Sequence, residues 1–287
     1  MSAKFNLILA MVIFGTIGVI VRYIDFPSTF IAWMRAFLGF AVIYAYVRIV
    51  LGRGLDVPAI RKNIKPLAVV MLLLGTNWAL FFETFKHTTV AIGTICYYTA
   101  PFFLILAAPL LFKEKLTAGK IACVAAAFAG IVFTSGAIGG EFIGGLGIFF
   151  AVSAAVMYAT VISANKFLRD ISPVDSTCVE LGGAALAFLP YVALTTDFST
   201  LDFTFQNLSL TCTLAFVHTG FAYILYFGAI QKLSAQDISL FSFLDPFVAV
   251  CLSVFVLAEP FTVWTFTGAM LILGATVVGE FFLKNKD

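Results

Sequence analysis

The chain has 287 residues, of which 62% are hydrophobic and only 11% are charged. Soluble domains carry roughly 25% charged residues, so this chain cannot cover itself with polar surface in water and is an integral membrane protein. The net charge of +2 is too small for a nucleic-acid-binding protein. The five scattered cysteines, which lack C-x-x-C spacing, are interpreted as buried thiols rather than metal ligands.

Ten apolar segments are long enough to cross a membrane. A spanning helix needs about 20 apolar residues to cross a ~30 Å hydrocarbon core. Breaking the sequence at charges and turn residues predicts spans at 5–24, 28–48, 66–86, 89–112, 117–136, 144–166, 173–194, 208–231, 235–258 and 261–282. The first segment lacks a small-residue cleavage site, so it is interpreted as a spanning helix and not as a signal peptide. The predicted fold class is therefore an all-α integral membrane protein with ten transmembrane helices.

Positive charge is distributed unevenly between the two ends of these spans. With both termini in the cytoplasm, the cytoplasmic side carries Lys4, Arg48, Arg53, Arg61, Lys62, Lys65, Lys113, Lys115, Lys120, Lys166, Arg169, Lys232, Lys284 and Lys286. The outer side keeps only Arg22 and Lys86, and Arg35 lies within a span. Because Lys and Arg accumulate in cytoplasmic loops, this bias predicts a multi-pass protein of the cytoplasmic membrane with both termini inside.

Residues 75–117 and 220–262 match each other without a gap, 145 positions apart. The identities include Gly75 with Gly220, Phe82 with Phe227, Pro101-Phe102 with Pro246-Phe247, Glu114 with Glu259 and Thr117 with Thr262. Five spans in each half is an odd number, so the second copy must be inverted across the membrane. We therefore predict a first repeat at 1–137 (spans 1 to 5) and an inverted second repeat at 138–287 (spans 6 to 10). Many secondary transporters have this architecture, with their sites between the halves.

Each half ends in one pattern: Pro-Phe, about a dozen apolar residues, a Glu, an apolar residue and Thr, then a helix rich in small residues. With Gly15 and Arg35, this pattern resembles the drug/metabolite transporter superfamily, in its ten-helix EamA-type branch. Phe14 stands where the family often has Trp. The resemblance covers nearly the whole chain and implies a proton- or gradient-coupled carrier of small organic solutes. It leaves the solute open among amino acids, nucleotide-like metabolites, amines and drugs.

The resemblance also assigns a scaffold role to spans 5 and 10. Their small residues, at Ala125–Gly130 and Gly268–Gly274, allow helices to approach closely. These spans are also the candidate contact of a homodimer. Neither the resemblance nor the composition predicts a cofactor.

Polar side chains near the middle of the membrane differ between the two halves. The pairs are Asp245 against Ala100, His218 against Leu73 and Asn77 against Ala222. A charged group at this depth costs roughly 2.5–3.5 kcal/mol on insertion scales, so such residues are functional hypotheses. Related halves need different residues only where they bind an asymmetric molecule. We therefore predict that Asp245, His218 and Asn77 bind substrate, and that Asp245 and His218 couple transport to protons.

Each of these three residues also has a structural alternative. Asp245 could cap a helix that begins at Pro246, where the span is expected to bend or break. His218 could simply hydrogen-bond across helices, although histidine titrates near neutral pH and would suit a proton-linked switch. Asn77 could join helices as interhelical glue.

Aromatic residues at the same depth are further candidates. Together they would wall a cavity suited to an amphipathic solute, for example an aromatic amino acid or an organic cation. They are Phe14, Trp78, Phe81, Tyr97, Tyr98, Tyr158 and Phe221. For any single ring, plain packing is the alternative.

A group of ionisable residues lies nearer the predicted outer face. It comprises Arg22, Arg35, Glu83, Lys86 and His87. We expect Arg35 to pair with Glu83, as a structural or gating pair, or to reach toward the interface. Glu180, deep in span 7, is a further proton-site candidate. Glu114 and Glu259 end their spans and are interpreted as turn-fixing residues.

These patterns favour a secondary transporter that exports a small amphipathic metabolite, such as an amino acid or amine, by alternating access. An organic-cation (choline-like) importer or a facilitative exchanger is the alternative. An enzyme is disfavoured because the two histidines stand apart and H-E-x-x-H, G-x-S-x-G and Asp-rich motifs are missing, so catalytic and metal residues are not predicted. A channel or sensor is disfavoured because no span has a polar stripe. The expected partners are the solute and the lipid bilayer, without nucleic acid.

Overall fold

A computed structural model describes residues 2–139 and 144–279, which form helices and short connections without a strand. The α-helices are α1 (Ala3–Gly15), α2 (Ile17–Arg22), α3 (Ser28–Ala45), α4 (Val57–Lys62), α5 (Ile64–His87), α6 (Val90–Tyr97), α7 (Ala100–Phe112), α8 (Ala118–Thr134), α9 (Gly145–Asn165), α10 (Pro173–Thr195), α11 (Phe205–Thr213), α12 (Ala222–Ile230), α13 (Ala235–Ser242), α14 (Leu244–Phe255) and α15 (Val263–Val278). The predicted all-helical class is confirmed.

Seven helical stretches of the described chain are long and apolar enough to cross a membrane. They are Ala3–Arg22, Ser28–Val50, Ile64–His87, Val90–Phe112, Gly145–Asn165, Pro173–Thr195 and Phe205–Ile230. Three shorter apolar helices, at Ala118–Thr134, Leu240–Phe255 and Val263–Val278, fall in the other predicted spans. The chain is thus a multi-pass membrane protein, whereas the count of ten crossings stays a prediction. Residues 280–282 of the last predicted span, and Lys284 and Lys286, lie outside the described residues.

Three of the predicted spans are interrupted part-way along. Span 1 breaks at Thr16, between α1 and α2, and span 4 breaks at Tyr98 and Thr99, between α6 and α7. Span 9 breaks at Phe243, between α13 and α14. Only this last break was expected from the sequence, because Pro246 cannot donate a backbone hydrogen bond. Helix ends inside a membrane must find other partners for their free backbone groups, and such breaks are tolerated in the protein interior.

The breaks in spans 4 and 9 occur 145 positions apart, and the structure that follows them also repeats. Lys113 and Ala258 each end a span in a left-handed conformation, with φ of 59° and 52°. Thr117 and Thr262 then cap α8 and α15 through their side-chain oxygens. The same local structure is therefore built twice from matching sequence. This supports a repeat, while the boundary at 137 and the inversion of the second half stay predictions.

The small residues of α8 and α15 bring these two helices together within one chain. A Cβ added to Gly130 would lie 2.9 Å from the carbonyl oxygen of Gly268, so neither position has room for a larger side chain without a shift. Ala127, Ala269 and Ile272 continue the buried contact. Close packing through small residues is common between membrane helices. A homodimer contact through these helices stays a prediction.

The basic connection between spans 2 and 3 folds onto the first turn of α10 and the loop before it. Arg53 Nη1 donates to both carboxylate oxygens of Asp175, at 2.9 and 3.0 Å, and Asp175 is buried. Asn63 Nδ2 donates to the carbonyl of Arg169 at 2.8 Å, and Lys62 pairs with the exposed Asp170. Charged contacts thus connect the two halves of the chain at the end predicted to be cytoplasmic.

Replacing Arg53 with Ala should lower stability, because the buried Asp175 carboxylate would lose its charged partner. We expect a loss of about 2 kcal/mol, since breaking a buried pair leaves an uncompensated charge. Lys62→Ala is the matched control and should leave stability nearly unchanged, because the side chains of Lys62 and Asp170 are 60% and 78% exposed and solvent screens such a pair. Thermal unfolding of the two variants, purified in detergent, measures the change in stability of each. Equal unfolding midpoints for the two variants would contradict the expectation.

Candidate functional site

Tyrosines from three helical stretches meet between α5, α6, α9 and α12, where Tyr158 is 38% exposed. Tyr97, at the end of α6, stacks on Phe81 with 4.2 Å between ring centroids, and on Tyr158 of α9 with 5.4 Å. Tyr158 lies near Tyr223 and Tyr226 of α12. The structure therefore brings together three of the aromatic residues that were predicted to wall one cavity: Phe81, Tyr97 and Tyr158.

Phe14 of α1 closes this aromatic wall from another side. Its ring meets Tyr223 edge-on at 5.7 Å and Tyr226 at 6.4 Å. Sequence reasoning missed Tyr223 and Tyr226. These two tyrosines are three residues apart and therefore share one face of a helix. They follow His218 by five and eight residues, and this pattern could have indicated them. Phe221, by contrast, is half-exposed and makes no ring contact with other residues that the structure describes.

Asp245 lies in the first turn of α14, beside the break in span 9. Its Oδ2 accepts a hydrogen bond of 2.8 Å from the Tyr98 hydroxyl. Tyr98 is the C-cap of α6, at the equivalent break in span 4. The carboxylate also interacts electrostatically with Tyr158. The two broken helices thus place one acidic group against the tyrosine cluster.

The alternative interpretation of Asp245 as a helix cap is wrong. The helix begins at Leu244, its N-cap is Phe243, and no side chain accepts the free N–H groups there. Because Asp245 is already inside the first turn, its carboxylate is free to point to Tyr98. A negative charge in the first helical turn still interacts favourably with the helix dipole.

His218 is held in a π-helical segment at Leu214–Phe221, which joins α11 and α12. Its Nδ1 lies 3.1 Å from the carbonyl of Thr213, five residues earlier, and its Nε2 lies 2.7 Å from the Thr16 hydroxyl. A carbonyl can only accept, so Nδ1 carries a proton. Single π turns are frequent at functional sites because they re-aim side chains. Here the π turn directs His218 to the break in span 1.

The Thr16 hydroxyl links the protonation of His218 to the break in span 1. Thr16 Oγ1 lies 2.7 Å from both His218 Nε2 and the Ile13 carbonyl, but it has one proton to donate. With neutral His218, Thr16 donates to Nε2. With protonated His218, Nε2 donates to Thr16, whose own proton then goes to Ile13. The interhelical hydrogen-bond interpretation of His218 therefore holds in either state.

Asn77 is fully buried and joins three helices. Its Nδ2 donates to the carbonyl of Ala154 in α9 at 2.7 Å, and its Oδ1 accepts from the Tyr97 hydroxyl at 3.4 Å. Both ends of the amide are therefore used. Asn77 therefore joins helices, as its structural alternative predicted, and orients Tyr97 toward the cluster.

The prediction that Arg35 pairs with Glu83 is wrong. Arg35, 4% exposed, donates from Nε to the Thr219 hydroxyl at 2.8 Å, and its guanidinium carbon lies 4.0 Å above the Trp78 ring. Glu83 instead contacts Lys86 and His87 on its own helix, at 3.5 and 3.1 Å. The reason is geometric, because residues three and four apart share a helix face, whereas Arg35 turns inward toward α5 and the π segment.

Glu180, the remaining proton-site candidate, occupies the position of α10 that matches Arg35 of α3. Both residues are seventh after the first residue of their helix. Glu180 is 8% exposed and lies beside the Asn165 amide, and its Oε1 has no hydrogen-bond partner among the described residues. It interacts electrostatically with Tyr223. The matched positions thus hold a buried cation in one half and a buried acid in the other.

The described residues contain no group of three or more His, Cys, Asp or Glu side chains that could hold a metal ion. The site is instead a set of tyrosine hydroxyls and aromatic faces with two acids, Asp245 and Glu180, and one buried cation, Arg35. Such a site can bind a small molecule through hydrogen bonds, ring contacts and charge.

The fold and this site define a multi-pass membrane protein of interrupted helices around a polar, aromatic centre. The sequence model of the EamA-like transporter family matches residues 1–136 and 145–278. The chain belongs to the EamA-like transporter family, in agreement with the resemblance found in the sequence.

Two relatives of this chain are named as transporters. The chain is similar to the uncharacterized transporter YxxF of Bacillus subtilis (strain 168), with 27% identity over 259 residues, which cover 88% of this chain and 80% of the relative. The uncharacterized transporter YyaM of the same organism is 24% identical over 265 residues, covering 86% and 82%. A solved crystal structure shares the fold, with a TM-score of 0.68, 16% identity and 99% of each chain covered.

Gly15 packs against the backbone of the site, so replacing it with Ala should disturb the helix that carries Asp245. A Cβ at Gly15 would lie 2.7 Å from the Asp245 carbonyl oxygen and 2.7 Å from Val248 Cβ. We expect Gly15→Ala to cost about 1–3 kcal/mol through overpacking.

Gly228 in α12 provides the matched control for this test, because a Cβ there would meet nothing within 4 Å. Gly228→Ala should be neutral, or stabilising by up to about 1 kcal/mol through helix propensity. Thermal unfolding in detergent compares the two variants. A Gly15→Ala protein as stable as Gly228→Ala would show that α1 and α14 are not in tight contact.

Proposed function

We propose that this protein is a secondary transporter that moves a small organic metabolite across the cytoplasmic membrane by alternating access. The observation that carries this proposal is the break of spans 4 and 9 at equivalent positions, with Tyr98 and Asp245 joined between them. Discontinuous helices at the interface of two repeats are where secondary transporters bind their solutes. Residues 1–137 and 138–287 are the proposed inverted halves, with both termini in the cytoplasm.

The proposed solute is amphipathic, such as an amino acid or an amine. Stacked rings of Phe81, Tyr97 and Tyr158 offer apolar faces, and Asp245 offers a negative charge. Aromatic faces with a carboxylate suit an ammonium group through cation–π and ionic contacts. The same features also fit an organic cation such as a choline-like solute, which is the second candidate.

Proton coupling is proposed for Asp245, His218 and Glu180. These three titratable side chains are buried or half-buried. A carboxylate that must stay charged there needs a partner, and protonation removes that cost. His218 is connected to Thr16 at the break in span 1, so a change in its charge state reaches a helix end. Alternating protonation of such groups is a common device of proton-linked transporters.

The test of this proposal is uptake into proteoliposomes by wild-type protein and Asp245→Asn. We expect saturable, pH-gradient-dependent flux of at least one amino acid or amine in the wild type. Asp245→Asn should abolish coupled flux, because an amide cannot carry or release the proton, while the hydrogen bond from Tyr98 persists. Asp237→Asn is the matched control, since the Asp237 carboxylate pairs with the exposed Lys4 at 3.2 Å and lies outside the tyrosine cluster.

Two results would count against the proposal in different ways. Absence of flux for every amino acid, amine and organic cation, with or without a gradient, would remove the transporter assignment for these solutes. Wild-type flux and wild-type pH dependence in Asp245→Asn would leave a transporter but remove Asp245 from its coupling site. Counterflow in the wild type separates a carrier from a channel.

A further inference from the structure

Arg35 is a buried cation without an acidic partner. Its side chain is 4% exposed, and no carboxylate of the described residues lies within ion-pair distance. Only Nε makes a hydrogen bond within this part of the chain, to Thr219, so the two terminal amino groups keep their donors. A buried charge is costly unless it is paired, and the Trp78 face offsets only part of that cost.

The guanidinium faces the tyrosine cluster. It interacts electrostatically with Tyr97 and Tyr223, and Tyr97 stacks on Tyr158, which in turn interacts with Asp245. Arg35 and Asp245 therefore flank one stack of tyrosines and do not pair with each other. A free guanidinium fork matches the geometry of a carboxylate or phosphate.

We infer that Arg35 is the subsite for an acidic group of the solute, so that the substrate carries a carboxylate or phosphate. This inference rests on the proposed transport function and narrows its solute class. A solute with both an acidic and a basic group satisfies Arg35 and Asp245 at once. A simple organic cation leaves Arg35 unpaired.

The first test of the Arg35 subsite needs no ligand. Replacing Arg35 with Met keeps the length of the side chain and removes an uncompensated charge, so the melting temperature of ligand-free protein should be unchanged or raised. Arg53→Met, which breaks an ion pair that is present, is the matched control and should lower it. A clear drop for Arg35→Met would make Arg35 a structural residue and overturn the inference.

The second test compares amino acids with their decarboxylated amines, their deaminated acids and their phosphate esters by thermal shift. Compounds that stabilise the wild type should carry an acidic group, and they should bind Arg35→Met at least about tenfold more weakly, as expected for a lost charge-assisted hydrogen bond. If only amines bind or are transported, the result supports the transport function and contradicts the Arg35 subsite. If wild-type protein neither binds nor transports any compound, the transport proposal falls, and the ligand-free test still decides the role of Arg35.

A second inference concerns Glu259, which lies on the side of the protein predicted to face the outside. Its Oε2 accepts from the Val90 N–H, in the first turn of α6, at 2.8 Å, and from the Ser253 hydroxyl at 2.5 Å. Arg22 Nη2 lies 3.3 Å from its Oε1, and the carboxylate side chain is 8% exposed. Val90 and Arg22 belong to the first half of the chain, so Glu259 fastens the two halves together at this end.

Glu114 is the equivalent residue on the side predicted to be cytoplasmic. Among the described residues it makes no comparable buried contacts between the two halves. Its Oε1 lies 3.9 Å from Lys166 Nζ, and these two side chains are 46% and 47% exposed. The loop conformations match, since Lys113 and Ala258 share a positive φ. The helix that corresponds to α6 is α13, and its N-cap Ser234 is equivalent to Thr89 of α6. The position equivalent to Ser253 is Ala108, which has no hydroxyl.

We infer that Glu259 and Glu114 are alternating locks at the two ends of the molecule. In this structure the Glu259 lock is closed and the Glu114 lock is open. In the opposite state Glu259 releases α6 and Glu114 docks at the N-terminus of α13. Because Ala108 lacks the hydroxyl of Ser253, the Glu114 lock is weaker, and the state seen here is the resting one.

Hydrogen exchange at the start of α6 tests the lock directly, without any solute. Glu259→Gln should speed exchange of the Val90 amide about tenfold, because a charge-assisted hydrogen bond is weakened and local opening becomes easier. Glu114→Gln, at the equivalent position, is the matched control and should leave exchange at Val90 unchanged. Glu259→Ala should show at least the same increase as Glu259→Gln.

Two outcomes would overturn the lock. One is wild-type exchange at Val90 in both Glu259 variants. The other is an equal increase in Glu114→Gln, which would indicate general loosening and not release of one end. Since exchange is measured without transport, a failure of the transport proposal is separate from a failure of the lock.

Discussion

Polar groups inside a membrane must find partners within the protein, and the rest of this structure depends on that constraint. Water is not available in the hydrocarbon core to satisfy a free N–H, carbonyl or hydroxyl. The three helix breaks at Thr16, Tyr98 and Phe243 each free such groups. They lie where His218 meets Thr16 and where Asp245 meets Tyr98. The breaks and the polar residues therefore support one another in one interior region.

The repeat explains the backbone of this molecule, and the departures from it explain the chemistry. Breaks, left-handed turns and capping threonines recur at a spacing of 145 positions because turn and cap residues recur in the sequence. The buried charged groups do not recur: the position of α10 equivalent to Arg35 of α3 holds Glu180. Recurring local backbone structure with differing polar groups is the pattern expected where related halves bind an asymmetric solute.

The sequence predicted the helical class, the approximate place of every long apolar helix and the family, because these follow from sums over many residues. It also predicted the break near Asp245, since proline removes a backbone donor. It failed for individual partners. Arg35 was expected to pair with Glu83, and Asp245 was weighed as a cap, because both ideas used distance along the chain alone. The structure rotates Arg35 toward Trp78 and starts α14 before Asp245.

Hydropathy and repeated motifs were enough to predict a multi-pass helical protein of this family, because each is a local or summed property of the chain. Which tyrosines face one another, and that Tyr223 and Tyr226 join them, depended on how each helix is rotated about its axis. The π turn at Leu214–Phe221 sets that rotation for His218 and Thr219. Rotation is decided by contacts between helices far apart in sequence, and so only the tertiary structure could place Arg35, Asp245 and Glu259 against their neighbours.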